Sequence, residues 1–145
     1  MKLLIANGHL IDPAAPENTG MSVLIEDGKV AGWLRPGEAA PTDAEVFDAA
    51  GLLVAPGFID MHVHLREPGQ EHKETVATGV ASAVAGGFTA VACMPNTKPV
   101  NDNAGVTELI LKKAADAGLA RVYPIGAVSR GQQGEQLADI AELKQ

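Results

Sequence analysis

Apolar residues recur along the first 55 positions in short runs cut by turn formers, and this pattern predicts brief strands rather than helices. Residues 3–6 read as a strand and Asn7-Gly8 as a turn. Residues 21–26 and 29–33 read as a hairpin closed by Asp27-Gly28, a pair suited to a type I′ turn. Residues 36–42 are loop by composition, and 45–47 and 52–54 read as further strands around Ala50-Gly51. Residues 1–55 are therefore expected to form a small antiparallel β-module, part of a β-sandwich. His9 stands alone in it and reads as a solvated or hydrogen-bonded histidine rather than a ligand.

After Pro56-Gly57 the rhythm changes to strand, loop, helix, repeated. A strand over 58–64 leads through Pro68-Gly69 to a helix over 73–85, stopped by Gly86-Gly87. A strand over 88–94 leads through residues 95–101 to a helix over 103–117, capped by Asp102 or Asn103 and ended at Gly118. A strand over 121–128 leads through 129–134 to a helix that begins near Glu135 and is still running at Gln145. Three βα units in series predict an α/β fold with a parallel sheet or barrel and helices outside. A full (β/α)8 barrel takes about 250 residues, so residues 56–145 would be the opening units of an incomplete TIM-type barrel. The open sheet edge and the uncapped last helix make the chain read as a fragment of a longer protein.

The first strand of that series carries the chemistry. With period-two alternation, Asp60, His62, His64 and Arg66 project from one face and Ile59, Met61, Val63 and Leu65 from the other, where they would pack on helices. Four titratable side chains are a costly way to make a wet surface. Two histidines one residue apart at the carboxyl end of a barrel strand suit a shared divalent ion, with Arg66 beyond them to hold an anion. Asp60 either orients an imidazole or is a buried acid paired with a neighbouring strand. Asn96, in Met94-Pro95-Asn96-Thr97, reads in isolation as a turn residue bonded to its own backbone. Beside Arg66, its amide could join the guanidinium in fixing a carboxylate. Glu67 and His72 fall where exposed side chains are ordinary and stay outside the site, and Lys73 with Glu74 reads as a solvated charge pair.

Composition narrows the partners. Hydrophobic residues make up 46% and charged residues 20%, which is globular rather than disordered. A formal charge of -7 and a pI near 4.9 argue against a nucleic-acid or anionic-membrane partner, so a small anionic substrate would need a local positive device. The single cysteine, Cys93, lies in an apolar run and reads as a small core residue. The apolar start at residues 3–6 is too short for a signal core or membrane span, so a cytoplasmic location is expected.

Residues 62–69, H-V-H-L-R-E-P-G, followed by 94–102, M-P-N-T-K-P-V-N-D, resemble the type I dihydroorotases of the amidohydrolase superfamily. The resemblance covers essentially the whole chain, the β-module included. It implies reversible, zinc-dependent cyclisation of N-carbamoyl-L-aspartate to L-dihydroorotate in pyrimidine synthesis. It also implies that His62 and His64 are ligands of one zinc, of two in the complete protein. His64, Arg66 and Asn96 would then contact the substrate. A metal-bridging carboxylate, two further histidines and the aspartate that moves the proton are expected after Gln145, so residues 1–145 alone are expected to be inactive. Association with itself or with another enzyme of the pathway is compatible with this reading. Two alternatives stand beside it: a catalytically silent dihydroorotase-like scaffold subunit, and a related cyclic amidohydrolase of the allantoinase or hydantoinase kind.

Overall fold

A computed structural model describes residues 1–144, which divide into two units, Met1–Pro56 and Gly57 onward. In the first unit β1 (Lys2–Ala6) is central. β2 (His9–Leu10) follows the Asn7-Gly8 turn, and β3 (Ser22–Glu26) pairs antiparallel with β1, Lys2 opposite Glu26. β4 (Lys29–Leu34) closes the expected hairpin; Asp27 (φ 50°) and Gly28 (φ 76°) both adopt the positive φ that a type I′ turn needs. β5 (Ala44–Asp48) returns on the other side of β1, and β6 (Leu53–Val54) pairs with β2.

Both of these last pairings are parallel, so the module is mixed rather than antiparallel. The long connection before β5 lets the chain reverse before it reaches β1, which hairpin-scale patterning does not register. Leu4, Leu10, Val23 and Ala49 are buried here, and the Lys2 ammonium is braced by Asp43 (2.9 Å) and Glu26 (3.5 Å). His9 is exposed, as expected.

The second unit is α/β. β7 (Phe58–Val63) leads to α1 (Val76–Ala85), then β8 (Phe88–Cys93) to α2 (Ala104–Ala117), then β9 (Arg121–Pro124). The three strands form one parallel sheet in the order β7-β8-β9. Helix ends follow local chemistry. Thr75 and Thr78 form a capping box at α1, the Asn103 carboxamide oxygen accepts from Val106 N–H at α2, and Gly118 closes α2 at φ 63°. Leu65, Val76, Val80, Val91, Cys93, Val106, Ile110 and Val122 interlock between sheet and helices. Burial of Cys93 is as expected, and it pushes the thiol up to about 11.

Two boundaries depart from the pattern. α1 starts at Val76 rather than 73, because residues 67–69 and 71–73 are spent in turns. The helix expected from Glu135 is absent: β9 stops at Pro124, and α3 is only Ile140–Leu143. Ser129 bridges Leu137 antiparallel, and Arg130 N–H donates to Gln136 and Ala138 N–H to Val128, so this backbone is committed to a loop. The expected continuation of that helix to Gln145 lies outside the described residues. No helix among the described residues is long and apolar enough to cross a membrane.

Candidate functional site

The site grows from the end of β7. Asp60 pairs with Val91 of β8 and Val63 with Cys93, so three steps on β7 match two on β8, a bulge at Met61-His62. The bulge breaks the expected alternation. Asp60 shares a cleft with Val63, His64, Leu65 and Phe88, a lining that does not include His62. Its carboxylate accepts from the backbone N–H of His62 at 2.9 Å, and among the described residues it makes no hydrogen bond to an imidazole and no ion pair. Only Val63 and Leu65 of the apolar set join the helix-packed core; Ile59 and Met61 are 60% and 78% exposed.

His62 and His64 are brought together with ring centroids 5.4 Å apart, edge to face. Two imidazoles ligating one tetrahedral ion at about 2.0–2.1 Å hold their centroids about 5 Å apart, so the pair fits a shared divalent cation. The described residues contain no cluster of three or more His, Cys, Asp or Glu able to hold a metal. His64 Nδ1 lies 2.8 Å from Asn96 Oδ1, whose lone pairs accept a hydrogen from it. Asn96 thus reaches across to the residue that follows β7 instead of bonding to its own backbone.

Arg66 follows the strand in the left-handed region, φ 62°, with Glu67 N–H donating to the Leu65 carbonyl around it. No carboxylate of the described residues forms an ion pair with its guanidinium. Two loops lock this end of the sheet. Lys98 N–H donates to the Pro68 carbonyl, and Gln70 Nε2 to the Asn96 carbonyl. Gly69 (φ 91°) sits so close that a Cβ there would collide with the Lys98 carbonyl. The Lys73 ammonium meets Gln70 Oε1 rather than the expected Glu74, and His72 is exposed as expected.

Glu67 was expected at the surface and is buried instead. Its Oε2 accepts from Val76 N–H at the start of α1 (2.9 Å), and its Oε1 meets Lys113 Nζ of α2 (3.0 Å). That bond is the first cause holding the Lys113 ammonium above its usual range. Asn101, 1% exposed, also escaped notice. Its Nδ2 donates to the Ile125 carbonyl and its Oδ1 accepts from Thr107 Oγ1, tying the loop after β8 to that after β9. Asp102 accepts from Gly131 N–H rather than capping α2, and this bond chiefly holds its carboxyl below the usual range. The turn residues around Asn101 gave the only local hint of such a junction.

Comparison with known proteins gives a consistent family. The chain is 62% identical over 142 residues to a dihydroorotase of Anaeromyxobacter sp. (strain K) and 56% identical over 146 residues to one of Syntrophotalea carbinolica. Those alignments take in 98% and 100% of this chain but 33% and 34% of the relatives, so the chain spans about a third of their length. Among solved structures, it resembles an L-hydantoinase (dihydropyrimidinase) from Arthrobacter aurescens, with a TM-score of 0.73 and 25% identity over 88% of this chain and 28% of that one. A D-hydantoinase from Thermus sp. matches with a TM-score of 0.59 and 34% identity over 77% and 24%. A family model described as dihydro-orotase-like matches residues 51–145, and the chain belongs to that family.

Proposed function

We propose that this chain is the opening part of a dihydroorotase that interconverts N-carbamoyl-L-aspartate and L-dihydroorotate. The observation that carries the reading is the contact of His64 with Asn96 beside His62, with Arg66 two residues further along, in a chain 62% identical to a protein named dihydroorotase. His62 and His64 would hold zinc, one of two ions in the complete protein. Zinc bound there supplies Lewis-acid polarisation of the ring amide and a water of lowered pKa. Arg66, with no ion-pair partner among the described residues, offers its planar fork to the substrate carboxylate, and Asn96 adds an amide donor beside it. The remaining ligands and the aspartate that moves the proton fall to the rest of the protein. Residues 1–145 alone would bring two imidazoles and no proton carrier, and would be inactive.

We assign the parallel sheet to the first units of a (β/α)8 barrel. The exposure of Phe58, Ile59, Met61 and Tyr123 on it supports this, since large apolar side chains clustered at one sheet call for cover. A silent scaffold would have no physical need of paired histidines followed two residues later by an arginine that no carboxylate of the described residues pairs with. The hydantoinase alternative draws on matches at 25% and 34% identity, well below the dihydroorotase relatives.

Steady-state kinetics of the complete protein with L-dihydroorotate and with a hydantoin lacking a carboxylate test the reading. Dihydroorotate should be the better substrate, and Arg66→Ala should raise its KM about 10- to 100-fold, the cost of a charged bidentate contact worth about 1.5–3 kcal/mol. A preference for the hydantoin, with a KM unaffected by Arg66→Ala, would overturn it.

A further inference from the structure

We propose that Asn96 is a positioning residue for His64 as well as a substrate donor: one amide presets the imidazole for a divalent cation and keeps its hydrogens for an acid. This rests on the reading of the site given above. A carboxamide oxygen only accepts and its nitrogen only donates. With Asn96 Oδ1 at 2.8 Å, His64 Nδ1 must carry the hydrogen. A neutral imidazole carries one, so the lone pair is left on Nε2, the form a metal requires. Both Asn96 Nδ2 hydrogens remain unused in the hydrogen bonds of the described residues.

His62 has no equivalent. The hydrogen bond that reaches it is made by its backbone N–H, to Asp60, so the tautomer of one histidine is fixed while the other ring makes no hydrogen bond among the described residues. Asn96 can act this way because its backbone is held on both sides. Pro95 and Thr97 are buried, Thr97 Oγ1 donates to the Pro99 carbonyl at 2.7 Å, and Asn101 N–H closes the turn on the Pro95 carbonyl at 2.9 Å. The Gln70 carboxamide donates to the Asn96 carbonyl from the loop after β7.

Two substitutions separate the two jobs. Asn96→Ala removes both the acceptor and the donor. Asn96→Asp keeps an acceptor for His64 but turns a negative charge toward the substrate acid. Zinc affinity of the complete protein, measured without substrate by competition with a chromophoric chelator, should fall about 10- to 100-fold in Asn96→Ala. In Asn96→Asp it should stay at least as tight as in the wild type. The KM for dihydroorotate should rise in both, and more in Asn96→Asp. Wild-type zinc affinity in Asn96→Ala, or an equal loss in both variants, would overturn the positioning role. Should Asn96→Ala fail to fold, loss of zinc affinity in folded Asn96→Asp alone would overturn it, and retention with a raised KM would support it. If the zinc pattern holds while the wild type does not hydrolyse dihydroorotate, the substrate reading fails and the positioning role stands.

Discussion

Replacing Glu67 by alanine should loosen the start of α1 by about 1–4 kcal/mol, and the structure says which of its bonds dominates. The side chain is 10% exposed, and Val76 N–H is buried with Glu67 Oε2 as its acceptor. Leaving a buried donor unsatisfied costs about 1–3 kcal/mol. The bond to Lys113 counts for less, because that ammonium is 47% exposed and water screens the pair to at most about 1 kcal/mol. Glu67→Gln, which can still present an oxygen to Val76, and Lys113→Met, which removes only the ion pair, should therefore each cost about 1 kcal/mol or less. Hydrogen exchange of peptides covering residues 74–86 in the complete protein reads this locally, because the amides of the first turn of α1 exchange through its opening. Exchange should speed up strongly in Glu67→Ala and mildly in the other two. A Lys113→Met effect as large as that of Glu67→Ala would put the energy in the ion pair and refute the reasoning.

Further consequences concern the core and the loops. Burial holds the Cys93 thiol at about 11 against an ordinary 9.0, so the unfolded chain releases this proton first as pH rises. Its contribution is complete below pH 9 and is lost between 9 and 11, roughly 2–3 kcal/mol in all; Cys93→Ala should flatten that part of the thermal-unfolding profile. Ile110→Ala, at a site 1% exposed, should cost about 2–5 kcal/mol as read by the denaturation midpoint. Gly69→Ala should cost about 1–3 kcal/mol from backbone strain alone and, by pushing Lys98 away, should lower activity of the complete protein more than it lowers stability.

What was legible in the chain was local. Asp27-Gly28 announced a hairpin, Asn103 and Gly118 bracketed α2, and His62 and His64, one residue apart, are a pair whose rings the structure brings together. What escaped depends on elements meeting in space. Period-two alternation assumes an unbroken pleat, and the bulge at Met61-His62 puts Asp60 in one cleft with Val63 as well as His64. Glu67 becomes a buried cap only when α1 and α2 pack together and bring Lys113 to it. Leu137 and Ile140 look like helix positions, yet Leu137 bridges back to Ser129. Asn96 finds His64 across 32 residues of sequence, a partner its own turn chemistry could not suggest.

The central claim is that His62 and His64 hold a metal on which dihydroorotate chemistry depends. The most direct measurement is metal per chain and dihydroorotate hydrolysis in the complete protein before chelation, after it, and after zinc is restored, with His64→Ala alongside. Activity should vanish with the metal and return with zinc, and His64→Ala should lower both metal content and rate. Undiminished hydrolysis by metal-free protein, or a His64→Ala variant with wild-type metal content and rate, would contradict the account.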